Sequence, residues 1–167
     1  SDLKVRDDRN LESVKGISLE VRAGEILGVA GVEGNGQREF VEAICGMRSR
    51  ESGTVAIKGK VLPNLDPKAA HNAGVSHIPE DREKHGLVNS YSISDNLILN
   101  RFDQVPFANG WLRNHGAIAE IGEKLVETFD IRTPSANLPA GSLSGGNKQK
   151  VVVARELSQN LDVVVAS

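Results

Sequence analysis

Several things are scarce in these 167 residues. There is one cysteine, Cys45, which excludes an intramolecular disulfide framework and a cysteine-clustered zinc site. Phe, Trp and Tyr together make up 4% of the chain, too little to build a stacking platform for single strands. Neither sign of charge dominates. Twenty Lys and Arg stand against 22 Asp and Glu, a formal net charge of -2, so bulk charge draws the chain neither to nucleic acid nor to an anionic membrane. No apolar run reaches the roughly 18 residues that a spanning helix needs. The polar start, residues 1–10, lacks the apolar segment of a signal peptide. A reducing, intracellular setting is the expectation, with membrane association only through a partner. His71, His77, His85 and His115 have no ligand spacing, so no metal site is expected from them.

Glycine is plentiful, at 17 residues where about 7% is ordinary, and its placement is informative. Arg22-Ala23-Gly24-Glu25 reads as a tight turn, and Ile26-Leu27-Gly28-Val29-Ala30 as a short buried strand. Gly31, Gly34 and Gly36 follow. Residues 37–46 then place Phe40, Val41, Ile44 and Cys45 at helical spacing and end on Gly46, suited to a helix C-terminus. Strand, glycine loop and helix together make a phosphate cradle, because loop N–H groups and the helix N-terminus converge on one anion.

The full phosphate-loop pattern is G-x-x-x-x-G-K-[ST]. Gly31-Val32-Glu33-Gly34-Asn35-Gly36 fits its glycine frame, and the next two positions do not fit its chemistry. Gln37 stands where the Lys belongs, and Arg38 where a hydroxyl should hold Mg²⁺. A unit charge lost 4 Å from phosphate forfeits about 4 kcal/mol at an effective dielectric near 20. Glu33 and Glu39 add negative charge nearby. The bland alternative is a glycine turn that merely joins strand to helix. A dinucleotide fingerprint fails, because Gly34-Asn35-Gly36-Gln37-Arg38-Glu39 lacks its third glycine, and a nicotinamide dehydrogenase fails with it.

Further along, residues 54–58 alternate as a strand before a turn at Gly59, and residues 66–72 suit a short helix. Residues 74–78 read as a strand halted by Pro79. Ser94 is placed to cap a helix carrying Leu97, Ile98 and Leu99, and residues 102–110 are loop-like. Ile118, Ile121, Leu125 and Phe129 form one apolar helical face. Residues 147–157 read as helix and 163–166 as a buried strand. Arg82, Glu83 and Lys84 read as a solvated charged run, Trp111 as a loop-packing residue or a partly exposed one at the rim of the helical subdomain, and Cys45 as core. The centre is thus mostly helical between stretches of strand character, an α/β core with a helical insertion. The expected organisation is residues 1–83 as the first part of the core, 84–141 as the helical subdomain, and 142–167 returning to the core.

Leu143-Ser144-Gly145-Gly146-Asn147-Lys148-Gln149-Lys150 closely resembles the LSGGQ-type signature of ABC-family ATPases. Residues from about 11 to 167 fit that family in order: degenerate phosphate loop, Q-loop region, helical subdomain, signature helix and Walker B strand. Residues 28–39, with Ile78-Pro79-Glu80-Asp81-Arg82 and His85-Gly86-Leu87, resemble the second nucleotide-binding domain of ATP-binding subunits of simple-sugar and nucleoside importers. The resemblance implies an α/β P-loop NTPase sheet of ABC type with an inserted helical subdomain, incomplete at its C-terminus before the catalytic Glu, D-loop and switch His.

The resemblance further implies ATP and Mg²⁺ as cofactors, held weakly or not at all at this domain's own loop. It places Glu80 at the Q-loop position and Ser167 at the Walker B Asp position. No aromatic residue precedes Phe40, so the family's adenine-stacking ring is missing. Ser144, Gly145, Gly146 and Asn147 are the residues that would close over ATP held by a second nucleotide-binding domain, in the same polypeptide or a dimer mate. The implied partners are that domain, transmembrane permease subunits and, indirectly, an extracytoplasmic solute-binding protein. Nucleic acid is not among them. The implied location is the cytoplasmic face of the membrane, through the permease. Two further readings are a non-catalytic nucleotide-sensing or scaffold module of ABC type, and an ABC ATPase outside transport. The losses at Gln37 and Arg38 weigh against the latter.

Overall fold

The computed structural model describes every residue of the chain except Glu33. The chain divides into two compact units, residues 1–77 with 161–165, and residues 78–160 with 166–167.

The first unit is built on an antiparallel sheet. Strands β1 (Leu3–Arg6), β2 (Glu12–Ile17) and β3 (Arg50–Ser52) lie in the order β2-β1-β3. Val5 pairs with Val14 on one side and Arg50 on the other. Strand alternation puts Leu3 and Val5 on a buried face. Helix α1 (Gln37–Ile44) lays Phe40 and Ala43 against that face, so Leu3, Val5, Val14, Phe40 and Ala43 form one core cluster. The helix ends as the sequence expects: Gly46, at φ +73°, follows its last turn, and Met47 N–H bonds back to Glu42 O.

A second cluster joins Cys45, Leu62, Ala70 and Val75. It is framed by a hairpin, β4 (Ala56–Ile57) and β5 (Lys60–Val61), and by helix α2 (Pro67–Asn72). Lys58 and Gly59 both take positive φ in the hairpin turn, as a tight two-residue connection requires. Asp66 caps α2 by accepting the Ala69 N–H at 2.8 Å. Strand β6 (Val75–Ile78) pairs with β9 (Val163–Ala166). Asp162 N–H bonds to Gly74 O at one end and Ser167 N–H to Ile78 O at the other, so the two strands run the same way.

One expected strand is not formed. Residues 26–30 carry no strand pairing, and Ile26 is 97% exposed. A buried strand needs a neighbour to take its hydrogen bonds and cover for its faces. Among the described residues β6 and β9 pair with each other, and no strand pairs with this stretch. The turn before it is as expected, with Glu25 N–H bonded to Arg22 O.

The second unit is mainly helical. Its elements are a π-helical turn (Arg82–Gly86), helix α3 (Ile93–Leu97), a hairpin of β7 (Ala108–Asn109) and β8 (Leu112–Arg113), helix α4 (His115–Thr128), a 3-10 turn (Ala140–Ser142) and helix α5 (Gly145–Leu157). Ile93, Leu97, Leu125, Val151, Val152 and Ala154 meet in its core. Asn96 is fully buried and satisfied: Oδ1 accepts the Val88 N–H, and Nδ2 donates to the carbonyls of Val88, Tyr91 and Ser92. Those bonds pin the loop that enters α3. The cap of α3 is Ser92, not Ser94. Ser94 lies inside the first turn, buried, its hydroxyl on Ala136 O. The Ala108–Arg113 hairpin projects Trp111 wholly into solvent, at 102% exposure, so Trp111 packs against no loop.

Candidate functional site

The glycine loop belongs to the first unit. Gly36 precedes α1 at φ +92°, and a Cβ there would come within 2.5 Å of Ser13 O on β2. Only glycine fits that left-handed, tightly packed position. Asn35 closes the loop, with both its N–H and Nδ2 donating to Val32 O at 3.2 and 3.0 Å. Glu33, the remaining acidic residue that the sequence places in the loop, lies outside the described residues. Glu39 stands in the first turn of α1.

Two side chains decide the loop's chemistry. Gln37 folds over Gly31: its Nε2 lies 2.1 Å from where a Gly31 Cβ would be. A neutral amide therefore covers the first glycine of the frame. Arg38 turns the other way, donating from Nε to Glu42 Oε1 at 2.8 Å, one helical turn along α1. Glu42 also accepts from Arg48 at 2.6 Å, and Arg48 reaches Asp8 at 2.8 Å. The guanidinium at position 38 is thus neutralised within a four-residue ion network and does not reach back over the loop. The position that the phosphate-loop pattern gives to a hydroxyl carries this cation, and the described residues contain no group of three or more His, Cys, Asp or Glu that could hold a metal ion.

The serine–glycine corner belongs to the second unit. Ser144 is the residue before α5, and Lys148 N–H closes the first helical bond onto its carbonyl. The N–H groups of Gly145, Gly146 and Asn147 are the unpaired donors that begin every α-helix, and they sit at the positive end of its dipole. Ser144 and Gly146 are exposed. A Cβ at Gly146 would meet nothing within 4 Å, so its backbone is open to approach. Ser144 makes no side-chain cap bond; its Oγ accepts Asn147 Nδ2 at 3.1 Å. Asn147 Oδ1 in turn accepts the Arg132 N–H at 2.9 Å. The Asn147 side chain is therefore a brace, and what it leaves for a ligand is its backbone N–H. The arrangement is a donor-rich anion corner made largely of backbone.

Glu80 is exposed directly after β6 and Pro79. Ser167 follows β9, its Oγ 3.5 Å from Ile78 O. Neither forms a metal-binding cluster with other described residues.

The charged run at 82–84 is more than a solvated face. Glu83 accepts Lys148 Nζ at 2.9 and 3.1 Å and Asn89 Nδ2 at 2.9 Å. Those bonds, that from Lys148 foremost, hold its carboxyl below the usual carboxylate range. The Arg82 guanidinium lies against Gly145, with Nη2 2.8 Å from where its Cβ would be. Sequence spacing gave no sign of these contacts, since 65 positions separate Glu83 from Lys148.

A family model described as "ABC transporter" matches residues 14–166, and the chain belongs to that family. Its mixed α/β fold is the ABC ATPase fold. The ATP-binding cassette MJ0796, solved as a post-hydrolysis dimer with ADP and Pi, superposes with a TM-score of 0.74 over 98% of this chain and 72% of that one, at 18% identity. The cbiO1 protein of Clostridium perfringens gives 0.67 over 99% and 64%, at 17% identity.

Among curated relatives, the guanosine import ATP-binding protein NupO of Bacillus subtilis is 41% identical over 165 residues, 99% of this chain and 32% of that protein. The nucleoside import ATP-binding protein NupA of Lactococcus lactis is 39% identical over 99% of this chain and 33% of its own length. The glucose import ATP-binding protein TsgD13 of Haloferax volcanii is 39% identical over 96% and 30%. The chain thus spans about a third of the length of the curated relatives it matches. Among the described residues no helix is long and apolar enough to cross a membrane.

Proposed function

We propose that this chain is a nucleotide-binding domain of an ABC importer for a sugar or nucleoside, degenerate at its own phosphate loop and lending its serine–glycine corner to ATP held by a second nucleotide-binding domain. The relatives named for guanosine, nucleoside and glucose import support the transport reading. One observation carries the asymmetry. The only cation at the two side-chain positions that should serve phosphate and Mg²⁺, Arg38, is turned away onto Glu42, while Ser144 and Gly146 of the corner are exposed and the Gly146 backbone is open to approach.

In this reading the domain's own loop binds nucleotide weakly through backbone N–H groups, and Ser167 supplies no carboxylate to a metal. Glu80, exposed at the Q-loop position, repels phosphate rather than activating water. Ser144 Oγ and the N–H groups of Gly145, Gly146 and Asn147 donate to the terminal phosphate of the partner's ATP. Stabilising charge that grows there during phosphoryl transfer is how such donors accelerate the reaction. Permease subunits at the cytoplasmic face of the membrane, fed by an extracytoplasmic solute-binding protein, complete the machine.

The test is made in the full-length protein assembled with its permease in vesicles. Ser144→Arg places a long cation in the corner and abolishes transport, while Gln37→Ala leaves transport near wild type. Equal tolerance of the two changes overturns the asymmetric reading.

A further inference from the structure

The corner is held in place from both sides by one carboxylate. Leu143–Asn147 lies between Gly141 and Lys148. On the far side, Lys148 is only 9% exposed and sits in the first turn of α5, where the helix dipole disfavours a cation. Its charge is matched by the two bonds to Glu83. On the near side, Gly141 N–H bonds to Asn89 O at 2.9 Å, and Asn89 Nδ2 donates to the same Glu83. Asp81 in turn fixes Glu83 by accepting its N–H at 3.0 Å and that of Lys84 at 3.1 Å.

The π-helical turn also runs along one face of α5. Arg82 meets Gly145, Glu83 meets Lys148, and Gly86 meets Val152 and accepts Arg155 Nη1 at 2.7 Å. Contacts at helix positions 145, 148, 152 and 155 share one face. They fix both the rotation and the height of the helix that presents the donors. Single-turn π-helical segments recur at functional sites, where they set such geometry.

We propose that Glu83 is a positioning residue for the Ser144–Gly146 corner, acting through Lys148 and Asn89. It touches no nucleotide. Its part is to keep the backbone donors at the distance and angle at which a phosphate can be gripped. This rests on the reading of the corner as a partner-ATP grip. A misplacement of about 1 Å in such a site costs about a hundredfold in rate.

The experiment uses the full-length protein assembled with its permease and measures ATP turnover and the apparent KM for ATP. Glu83→Lys and Lys148→Glu each lower kcat about ten- to a hundredfold with KM little changed. The double reversal, Glu83→Lys with Lys148→Glu, restores kcat to within about threefold of wild type. Glu83→Gln, a change on a half-exposed side chain, lowers kcat with KM for ATP little changed, in protein that circular dichroism shows folded at the assay temperature. Unchanged kcat in the single variants, or a folded double reversal no better than either single, overturns the proposal. Ser144→Arg in the same preparation separates the two readings. Turnover that survives it overturns the corner's role altogether. Turnover lost in Ser144→Arg but kept in every Glu83 and Lys148 variant overturns the positioning role alone.

Discussion

Arg38 Nε sits 2.8 Å from Glu42 Oε1, so the cation beside the glycine loop is spent on its own helix. Burial pushes the Glu42 carboxyl up, but the hydrogen bonds from Arg38 and Arg48 outweigh that and hold it below its ordinary value. A carboxyl lowered by folding stabilises fully above its unfolded pKa, and that contribution fades as pH falls through the folded value. Glu42→Gln therefore costs about 1–2 kcal/mol at neutral pH. The gap to wild type narrows as the pH falls through the lowered range. Urea unfolding at stepped pH checks both the size and the sign.

Two glycines of the loop separate strain from crowding. Gly34, at φ +83°, has open space where a Cβ would go; Gly36, at φ +92°, faces Ser13 O at 2.5 Å. Gly34→Ala costs about 1 kcal/mol for conformation alone, and Gly36→Ala about 2–4 kcal/mol, because the backbone of β2 must also move. Equal losses in denaturant melts contradict this.

Restoring a cation to the loop divides binding from catalysis. Gln37→Lys raises nucleotide affinity of the chain about tenfold, in line with one added charge near phosphate at high effective dielectric. It brings no Mg²⁺-dependent turnover, because position 38 still offers no hydroxyl. Titration with a fluorescent nucleotide, alongside a phosphate-release assay, reads the two effects separately.

Burial ranks two apolar residues of the second unit. Leu97 is fully buried and Trp111 fully exposed. Leu97→Ala costs about 2–5 kcal/mol through lost contacts and a cavity, whereas Trp111→Ala stays within about 0.5 kcal/mol. Thermal melts of the two variants settle the ranking.

Local chemistry made much of this legible. Asp66 before Pro67, Gly59 after Lys58, and the apolar steps from Ile118 to Phe129 each depend on residues within a few positions, and each element formed where its pattern lay. The start of α5 at Ser144-Gly145-Gly146 was legible for the same reason. Ser94 misled because Ser92, two residues earlier, has the same capping chemistry. Burial then gave Ser94's hydroxyl a partner at Ala136, 42 positions away. Glu83 was illegible because its meaning depends on Lys148, and no local pattern encodes a pairing across 65 residues. The direction of the Arg38 side chain was not legible, because Glu42, Arg48 and Asp8 set it together.

The stretch Ile26-Leu27-Gly28-Val29-Ala30 has a practical bearing on any preparation of this polypeptide. It is exposed, uncharged and free of proline, and no strand among the described residues pairs with it. Such a ribbon is adhesive toward other chains. Loss of material on concentration will begin there, by edge-to-edge sticking, before either unit melts.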